Sequence, residues 1–424
     1  MPCCFEYYDE DFSEYESCQF DMGEEELIQF KNNDYCLFHL PVSDKGNQKG
    51  KLTYSEKYNC SQEYVDSFNE KLIKYLDETC QLNEVESRTD YTGIIFPGKI
   101  SFDNKVLDGF DFRYCKFYGR AQFVATIFTV SSEFSNVEFY ESVSFFNAKF
   151  SAPVIFDNTI FHGDFHISYS GNNHDIERVI REESERDNKE VTSEDIDEKL
   201  KSIALLPGGS FEHCCFKKEV SFQNRIITSG LSFKGAVFYR APKFYNCVLH
   251  QETYFPSYKN FEDTNSEDAF HRYRVLKLAM ENVRNRSDEA GFFTLEQRSL
   301  RSNKPWYKNY FSFSYLYDIT SEYGINAART LLWLFFVITG FGVLYSKASS
   351  HDYPKNILIG FENAITNVLR PFQVWRSSES ASLAELYSVE PLLLLKIAMS
   401  MQSIVCLSLL AVFIISIRWR FKRG

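Results

Sequence analysis

The sequence predicts a long β-solenoid, then a helical connector, then two apolar helices that can cross a membrane. Three observations lead to this prediction. Phenylalanines recur at alternating steps of five and six residues, a small or β-branched residue stands two positions before most of them, and two uncharged apolar runs lie near the C-terminal end. With 424 residues, the chain has enough material for two or three folding units.

The phenylalanine ladder has a rhythm that neither an α-helix, with its period of about 3.6, nor a single β-strand, with its period of about 2, can produce. The ladder consists of Phe112, Phe117, Phe123, Phe128, Phe134, Phe139, Phe145, Phe150, Phe156 and Phe161. A second run with the same alternation extends from Phe211 to Phe255. We expect these rings to fill the interior of a narrow coil.

The small residues that precede the ladder positions indicate that they and the ladder residues both point inward. They are Cys115, Ala121, Thr126, Ser132, Val137, Val143, Ala148, Val154 and Thr159. A narrow solenoid needs one large residue per face to fill its axis and a small neighbour that lets the next face approach. The average step of 5.5 predicts about 22 residues per coil of four faces. A pair of phenylalanine-rich antiparallel sandwiches is the alternative, although their strands do not keep a fixed step over such a length.

This rhythm resembles the pentapeptide-repeat family, in which a bulky central residue follows a small one by two positions. The resemblance covers residues 96–167 and 208–261, and it implies a right-handed quadrilateral β-helix. The chain departs from the family in two respects. The Asp or Asn that often precedes the central residue is absent, since the equivalent residues include Lys116, Gln122 and Ile127. In the second run, the small position is occupied in three places by Arg225, Leu231 and Pro242.

We divide the chain into six parts on these patterns. They are an acidic, Cys- and Tyr-rich N-terminal cap (1–92), a first solenoid part (93–169), a charged insertion (170–207), a second solenoid part (208–262), a helical and interfacial connector (263–324) and a two-span membrane domain (325–424). The insertion holds eleven acidic and six basic residues, which predicts a solvated loop or helical hairpin projecting from one coil.

The two apolar runs, 330–346 and 397–417, carry no charged residue. About 20 apolar residues span a bilayer core. The second run is long enough for this, and the first run becomes long enough when residues 325–328 are added to it. Buried helices of a soluble protein are the alternative. Basic residues precede the first run (Arg298, Arg301, Lys304, Lys308 and Arg329) and follow the second (Arg418, Arg420, Lys422 and Arg423). By the positive-inside rule, both ends of the chain are expected in the cytoplasm.

The segment between the apolar runs has the layout of a re-entrant pore helix. After Pro354, the stretch NILIGFENAITNVL has helical spacing but is too short to span. We treat 354–376 as a candidate pore-loop, with pore-lining candidates Asn363, Thr366, Asn367, Arg370 and Gln373. An amphipathic helix lying on the outer membrane surface is the alternative. The potassium filter sequence TVGYG is absent, so potassium selectivity has no support.

The order of parts is similar to that of bacterial pentapeptide-repeat proteins with a two-helix tail. This resemblance implies a ligand- or partner-gated, ion-channel-like effector in the bacterial inner (plasma) membrane. Its cytoplasmic solenoid would be the sensor of an unknown ligand or protein. Two spans cannot enclose a pore, so a channel requires a homo-oligomer, for which a tetramer is the expectation. A role in bacterial stress or antiphage defence rests on analogy alone. A membrane-anchored scaffold without a pore is the alternative.

The N-terminal part contains a candidate metal site. Cys36 and His39 form a C-x-x-H pair, and Cys3, Cys4 and Cys18 precede it. The start of the chain has no secretory signal, so these residues are expected in a reducing cytoplasm, where cysteines serve as free thiols, packing residues or metal ligands. Together they are candidates for tetrahedral zinc, and no other cofactor is expected. Free cysteines in a tyrosine-rich cap are the alternative.

No enzymatic motif stands out. The sequence lacks a glycine-rich phosphate loop, a nucleophile elbow and an HExxH helix, so we expect no enzyme. The net charge of −12 disfavours nucleic acid as a partner. DNA mimicry by an acidic rod would give the apolar runs no purpose.

Overall fold

The fold is described from a computed structural model. It describes residues 3–9, 14–18, 20, 27–30, 33–40, 62–82, 89–170, 202–310, 312–350, 353–369, 386–387 and 392–423. The chain splits into two compact units, Met1–Ser299 and Leu300–Gly424. Residues 171–201, the greater part of the predicted insertion, lie outside the described residues.

The first unit contains a parallel β-solenoid of about five turns, as the ladder predicts. One six-stranded sheet is formed by Ile95–Phe96, Lys116–Phe117, Glu138–Phe139, Ile160–Phe161, Cys215–Phe216 and Val237–Phe238. The other contains Thr89–Asp90, Phe110–Asp111, Ser132–Glu133, Val154–Ile155, Gly209–Ser210 and Leu231–Ser232. A five-stranded sheet consists of Ile100–Ser101, Ala121–Gln122, Val143–Ser144, Phe165–His166 and Val220–Ser221. Three strands, Val106–Leu107, Ile127–Phe128 and Lys149–Phe150, and a pair, Leu205–Leu206 with Ile226–Ile227, complete the coils.

The register confirms the predicted coil length. Phe117 pairs with Phe139, and Phe139 pairs with Phe161, each 22 residues further along. Phe161 pairs next with Phe216, 55 residues on, which equals one coil of 22 plus 33 additional residues. The sheet therefore continues from Phe161 to Phe216 with the register of a normal coil.

The ladder rings form the core, and each predicted ladder residue is buried. Rings in successive coils stack nearly in parallel, with centroids 4.9 Å apart for Phe112 and Phe134 and 4.8 Å for Phe134 and Phe156. This distance matches the spacing of about 4.8 Å between neighbouring strands. One ring per face therefore fills the interior over the rise from one coil to the next. The stack continues past the insertion, because Phe156 lies 4.9 Å from Phe211.

The alternation of five and six reflects two kinds of corner. In the five-residue steps, the second residue after the ring has a left-handed backbone, with φ of 59° at Asn136, 56° at Asn147 and 56° at Asn158. Asn tolerates this conformation better than most residues because its short side chain can bond locally. These residues recur every eleven positions, a signal that could have been read from the sequence.

Arg225, which breaks the small-residue pattern, is fully buried. Its guanidinium donates to the carbonyl oxygens of Ile167 (2.6 Å), Ala148 (2.9 Å) and Ile203. Smaller residues than phenylalanine stand at nearby interior positions and leave room for it: Ile167, Leu206 and Ile227. Burial lowers the pKa of Arg225 to about 10. Arg225 therefore donates hydrogen bonds to buried main-chain carbonyl oxygens inside the coils on either side of the insertion.

Both ends of the solenoid are covered by other parts of the first unit. At the N-terminal end, helix α1 (Gln62–Leu82) contributes Phe68, whose ring lies 6.3 Å from Phe96 of the first coil. At the C-terminal end, α2 (Ala269–Asn282) and α3 (Arg286–Ser302) follow a short 3₁₀ turn at Tyr258–Asn260. Phe292 of α3 makes an edge contact, 5.2 Å between centroids, with Phe255 of the last coil. Such caps remove the exposed ends that a stack of coils would otherwise present.

Four short strands precede the solenoid and form two antiparallel hairpins. The first hairpin pairs β1 (Glu6–Asp9) with β2 (Glu14–Ser17), and the second pairs β3 (Ile28–Phe30) with β4 (Asn33–Tyr35).

The second unit is helical in its described residues. It contains α4 (Trp306–Tyr310), α5 (Phe313–Ser321), α6 (Ala327–Ala348), α7 (Lys355–Thr366), a 3₁₀ turn (Asn367–Leu369) and α8 (Leu392–Arg423). Helices α6 and α8 are long and apolar enough to span a membrane. Only 11% and 28% of their apolar windows are buried, unlike the core helices of a soluble protein.

A neighbouring pair of phenylalanines tests the ladder. Phe145 is fully buried in the stack, whereas Phe146 is 37% exposed. We expect Phe145→Ala to lower the free energy of unfolding by about 3–5 kcal/mol, because the cavity removes stacking on Phe123 and edge contacts with Phe134 and Phe156. Phe146→Ala should change it by less than about 1 kcal/mol. Hydrogen exchange of coil amides in the full chain measures both, and equal effects would contradict the ladder as the core.

Candidate functional site

Two sites stand out, and the first is a cluster of three thiols and one imidazole in the N-terminal part. Cys3, Cys18, Cys36 and His39 bring their ligand atoms within 4.8 Å of one another. The Sγ atoms of Cys18 and Cys36 are 3.8 Å apart. The Nδ1 atom of His39 lies 3.4 Å from Cys36 Sγ and 3.8 Å from Cys3 Sγ. We call these four residues the thiol–imidazole cluster.

The two N-terminal hairpins bring these residues together. Cys3 precedes β1, Cys18 follows β2, and Cys36 follows β4 directly. Backbone bonds connect the pieces, from Cys18 N to Phe5 O (3.2 Å) and from Cys4 N to Asp34 O (2.8 Å). The cluster therefore lies where the ends of both hairpins converge.

A turn at residues 37–39 orients His39 and joins the cluster to the first coil. His39 Nε2 is 2.9 Å from the carbonyl oxygen of Thr92, to which it donates. Ile95 N donates to Phe38 O at 3.0 Å. With its Nε2 proton directed at a carbonyl, the imidazole has Nδ1 as the ring nitrogen that faces the sulfurs.

The thiols and the imidazole perturb one another's protonation. Hydrogen bonds with Cys18, then with Cys36, lower the pKa of the Cys3 thiol, and the bond to Cys3 raises the pKa of Cys18. For His39, burial acts to lower the pKa, but hydrogen bonds with Cys3 and Cys36 outweigh it and raise the pKa to about 9. One thiolate is thus favoured among the three sulfurs.

Four of the five predicted metal candidates belong to the cluster. Cys4 is exposed and is not part of it. Adjacent residues in an extended chain point in opposite directions, so Cys3 and Cys4 cannot both face the cluster.

The second site is the packing of α7 against the long helices of the second unit. Helices α6 and α7 cross with their backbones nearly in contact. A Cβ on Gly360 would lie 2.5 Å from the backbone nitrogen of Ser346 and 2.6 Å from Gly342 O. A Cβ on Gly342 would meet the Phe361 ring at 3.0 Å. Only glycine at position 360 permits this approach, and Gly342 lies at the same crossing of α6 and α7.

A polar network fixes the C-terminal end of α7 to α8. Gln402 is fully buried and donates from Nε2 to Ala364 O at 2.7 Å. Its Oε1 accepts from Tyr345 Oη at 2.8 Å and from Asn367 Nδ2 at 3.2 Å. Ser403 Oγ donates to Asn367 O at 2.6 Å. The network joins α6, the end of α7 and α8.

The network lies well inside the apolar part of α8. Its members Gln402 and Ser403 are ten and eleven residues after Leu392, where α8 begins, which is about 15 to 17 Å along the helix axis at about 1.5 Å per residue. Helix α7 therefore turns back alongside α6 to a level about a third of the way along the 32 residues of α8.

The structure describes three of the five pore-lining candidates. Asn363 donates to Tyr387 Oη at 2.8 Å, and Asn367 donates to Met399 O at 2.7 Å. Thr366 is exposed, with its hydroxyl bonded to Glu362 O at 2.9 Å. Arg370 and Gln373 lie outside the described residues. The pore-lining role of all five stays a prediction.

The sequence reasoning did not select Gln402 or Tyr345. The signal was present, because Gln402 is a polar residue within an otherwise apolar run, and such residues usually have a specific partner.

Comparison with known proteins gives no relative: no protein-family model, curated protein or solved structure matches this chain.

Gln402 and its neighbour Met401 provide a test of the network. We expect Gln402→Leu to lower the free energy of unfolding by roughly 1–3 kcal/mol, because it removes the acceptor of Tyr345 Oη and Asn367 Nδ2 and the donor to Ala364 O. Met401 is 58% exposed, and Met401→Leu should leave stability unchanged. Thermal unfolding of the full chain in detergent compares them. If Gln402→Leu were as stable as Met401→Leu, the network would not hold α7.

Proposed function

We propose that the chain is an oligomeric, ion-channel-like effector of the bacterial inner membrane, gated by a ligand or protein partner that its cytoplasmic solenoid recognises. Both termini are cytoplasmic in this proposal. The observation that carries it is the position of α7, which ends beside Gln402 and Ser403 within the apolar part of α8.

The depth of α7 favours a re-entrant helix over one lying on the membrane surface. A surface helix would place its polar face in the headgroup layer and would have no reason to bond to Gln402 and Ser403 within the apolar part of α8. Non-helical backbone at membrane depth is tolerated where it is buried in protein or lines a water-filled cavity. In this proposal, the candidate pore-loop lines such a cavity.

The exposed face of α7 supports an oligomer. Leu358, Ile365 and Leu369 are at least 60% exposed on this short helix, although its other face is fixed to α6 and α8. Neighbouring copies can cover these residues, and two spans per chain cannot enclose a pore. A tetramer is the smallest assembly we expect to do so.

The residues before α6 suit the membrane interface. Trp306, Tyr307, Tyr310 and Phe313 are exposed, and Trp333 Nε1 donates to Ile319 O at 3.1 Å. Aromatic rings of this kind favour the headgroup level. Together with the basic residues before α6 and after α8, they support the cytoplasmic placement of both ends.

For the solenoid, we propose the right-handed quadrilateral form of the pentapeptide-repeat type. Most strands of the solenoid pair with the fourth strand along the chain, as Lys116–Phe117 does with Glu138–Phe139, which suits four faces per coil. A ligand or protein partner recognised by the solenoid belongs to the same proposal. A role in bacterial stress or antiphage defence is added to it by analogy.

The test is ion movement across a membrane. Overproduction in a bacterial host should collapse the membrane potential, read with a potential-sensitive dye, and liposomes containing the full chain should leak ions. Gly360→Leu should abolish both effects, because the side chain forces α7 away from Ser346 and Gly342. Gly340→Leu is the matched control, since a Cβ at Gly340 meets nothing within 4 Å.

Two results would contradict the proposal. One is the absence of depolarisation in cells together with the absence of leakage from liposomes. The other is depolarisation that persists when α6 and α8 are replaced by unrelated membrane anchors, as expected of a tethered scaffold.

A further inference from the structure

We propose that Cys3, Cys18, Cys36 and His39 bind one zinc ion that closes the N-terminal end of the solenoid. This inference is independent of the proposed membrane activity, because it concerns a structural site in the other unit of the chain.

Three distances within the thiol–imidazole cluster are close to the edges of a zinc tetrahedron, and all its ligand atoms lie within 4.8 Å of one another. With Zn–S of about 2.3 Å and Zn–N of about 2.0 to 2.1 Å, a tetrahedron has S–S edges of about 3.8 Å and S–N edges of about 3.6 Å. The Cys18 and Cys36 sulfurs are 3.8 Å apart. His39 Nδ1 lies 3.4 and 3.8 Å from the sulfurs of Cys36 and Cys3. One ion can therefore contact all four atoms.

The same distances argue against a disulfide. A disulfide requires sulfurs about 2.05 Å apart, far below the 3.8 Å between Cys18 and Cys36. Each cysteine of the cluster is free in the structure.

The groups around the four ligands orient them as metal ligands are usually oriented. The Nε2–H of His39 donates to Thr92 O, which leaves Nδ1 to face the ion. Two backbone amides donate to the sulfurs, Cys36 N to Cys3 Sγ at 3.2 Å and His39 N to Cys36 Sγ at 3.4 Å. Three thiolates would give a zinc complex one net negative charge, and these N–H···S bonds stabilise it.

The donor set selects zinc and a structural role. Three thiolates and one imidazole are too soft for calcium or magnesium, which take oxygen ligands. Four protein ligands leave no open position for water, unlike catalytic zinc sites with three.

Zinc would add to the stability that this small segment obtains from Phe20 and Phe38, which pack in the hydrophobic core. Its two hairpins consist of strands of three or four residues, too short to be stable alone. The ion would join three separated stretches of chain and, through Thr92 O and Phe38 O, fix them to the first coil. Metal binding in such a segment is folding free energy.

The direct test uses the unmodified full chain, purified under reducing conditions. Elemental analysis should find about one zinc per chain, and X-ray absorption at the zinc edge should fit three sulfurs and one nitrogen. Cobalt exchanged for zinc should give the intense visible bands of a tetrahedral thiolate site. These measurements need no variant and so do not depend on whether a variant folds.

Adjacent cysteines provide the matched variants. Cys36→Ser should reduce bound zinc from about one per chain to near zero, whereas Cys4→Ser should leave it unchanged, because Cys4 lies outside the cluster. His39→Cys should retain zinc, since a four-thiolate site is also tetrahedral. The X-ray absorption spectrum of this variant at the zinc edge should fit four sulfur ligands.

Three results would overturn the proposal. The first is a purified chain that contains no zinc and takes up none when zinc is supplied. The second is full retention of zinc by Cys36→Ser. The third is a disulfide between Cys18 and Cys36, found by mass spectrometry of the freshly reduced and purified chain.

Discussion

The stacked phenylalanine interior is the constraint on which the first unit depends. Strands of successive coils must lie about 4.8 Å apart to form hydrogen bonds, and flat aromatic rings stack at nearly the same distance. With one ring on each face at every turn, the same spacing therefore allows the strands to form their hydrogen bonds and the rings to fill the axis. The ring of Phe161 stacks on that of Phe216 at 4.8 Å, across the insertion, as closely as within an uninterrupted coil.

The departures from the ladder follow from the same constraint. Where rings are replaced by the smaller Ile167, Leu206 and Ile227, the space is taken by Arg225, whose guanidinium bonds to main-chain carbonyls of several coils. The ends of the stack expose rings and strand edges, so each needs a cover. Helix α3 supplies Phe292 at one end, and Phe68 with the hairpins of the thiol–imidazole cluster serves the other.

The sequence predicted the features that repeat locally and missed those that depend on distant chain. The ladder, its coil of 22 residues and the two apolar helices were predicted, because each leaves a periodic or compositional pattern. The role of Arg225 was not, because its acceptor Ala148 precedes it by 77 residues. Likewise, the sequence could not choose between Cys3 and Cys4, since only the hairpin register determines which one faces Cys36. The depth of α7 was also beyond reach, because it depends on Gln402, which bonds to Ala364 from 38 residues further on.

The second unit combines two long apolar helices with a short helix fixed between them, and the account depends on where that short helix lies. The most direct measurement is cryo-electron microscopy of the full chain in lipid nanodiscs. We predict a symmetric oligomer in which α7 ends within the lipid belt, at the level of Gln402. A monomer with α7 on the headgroup surface would contradict the account.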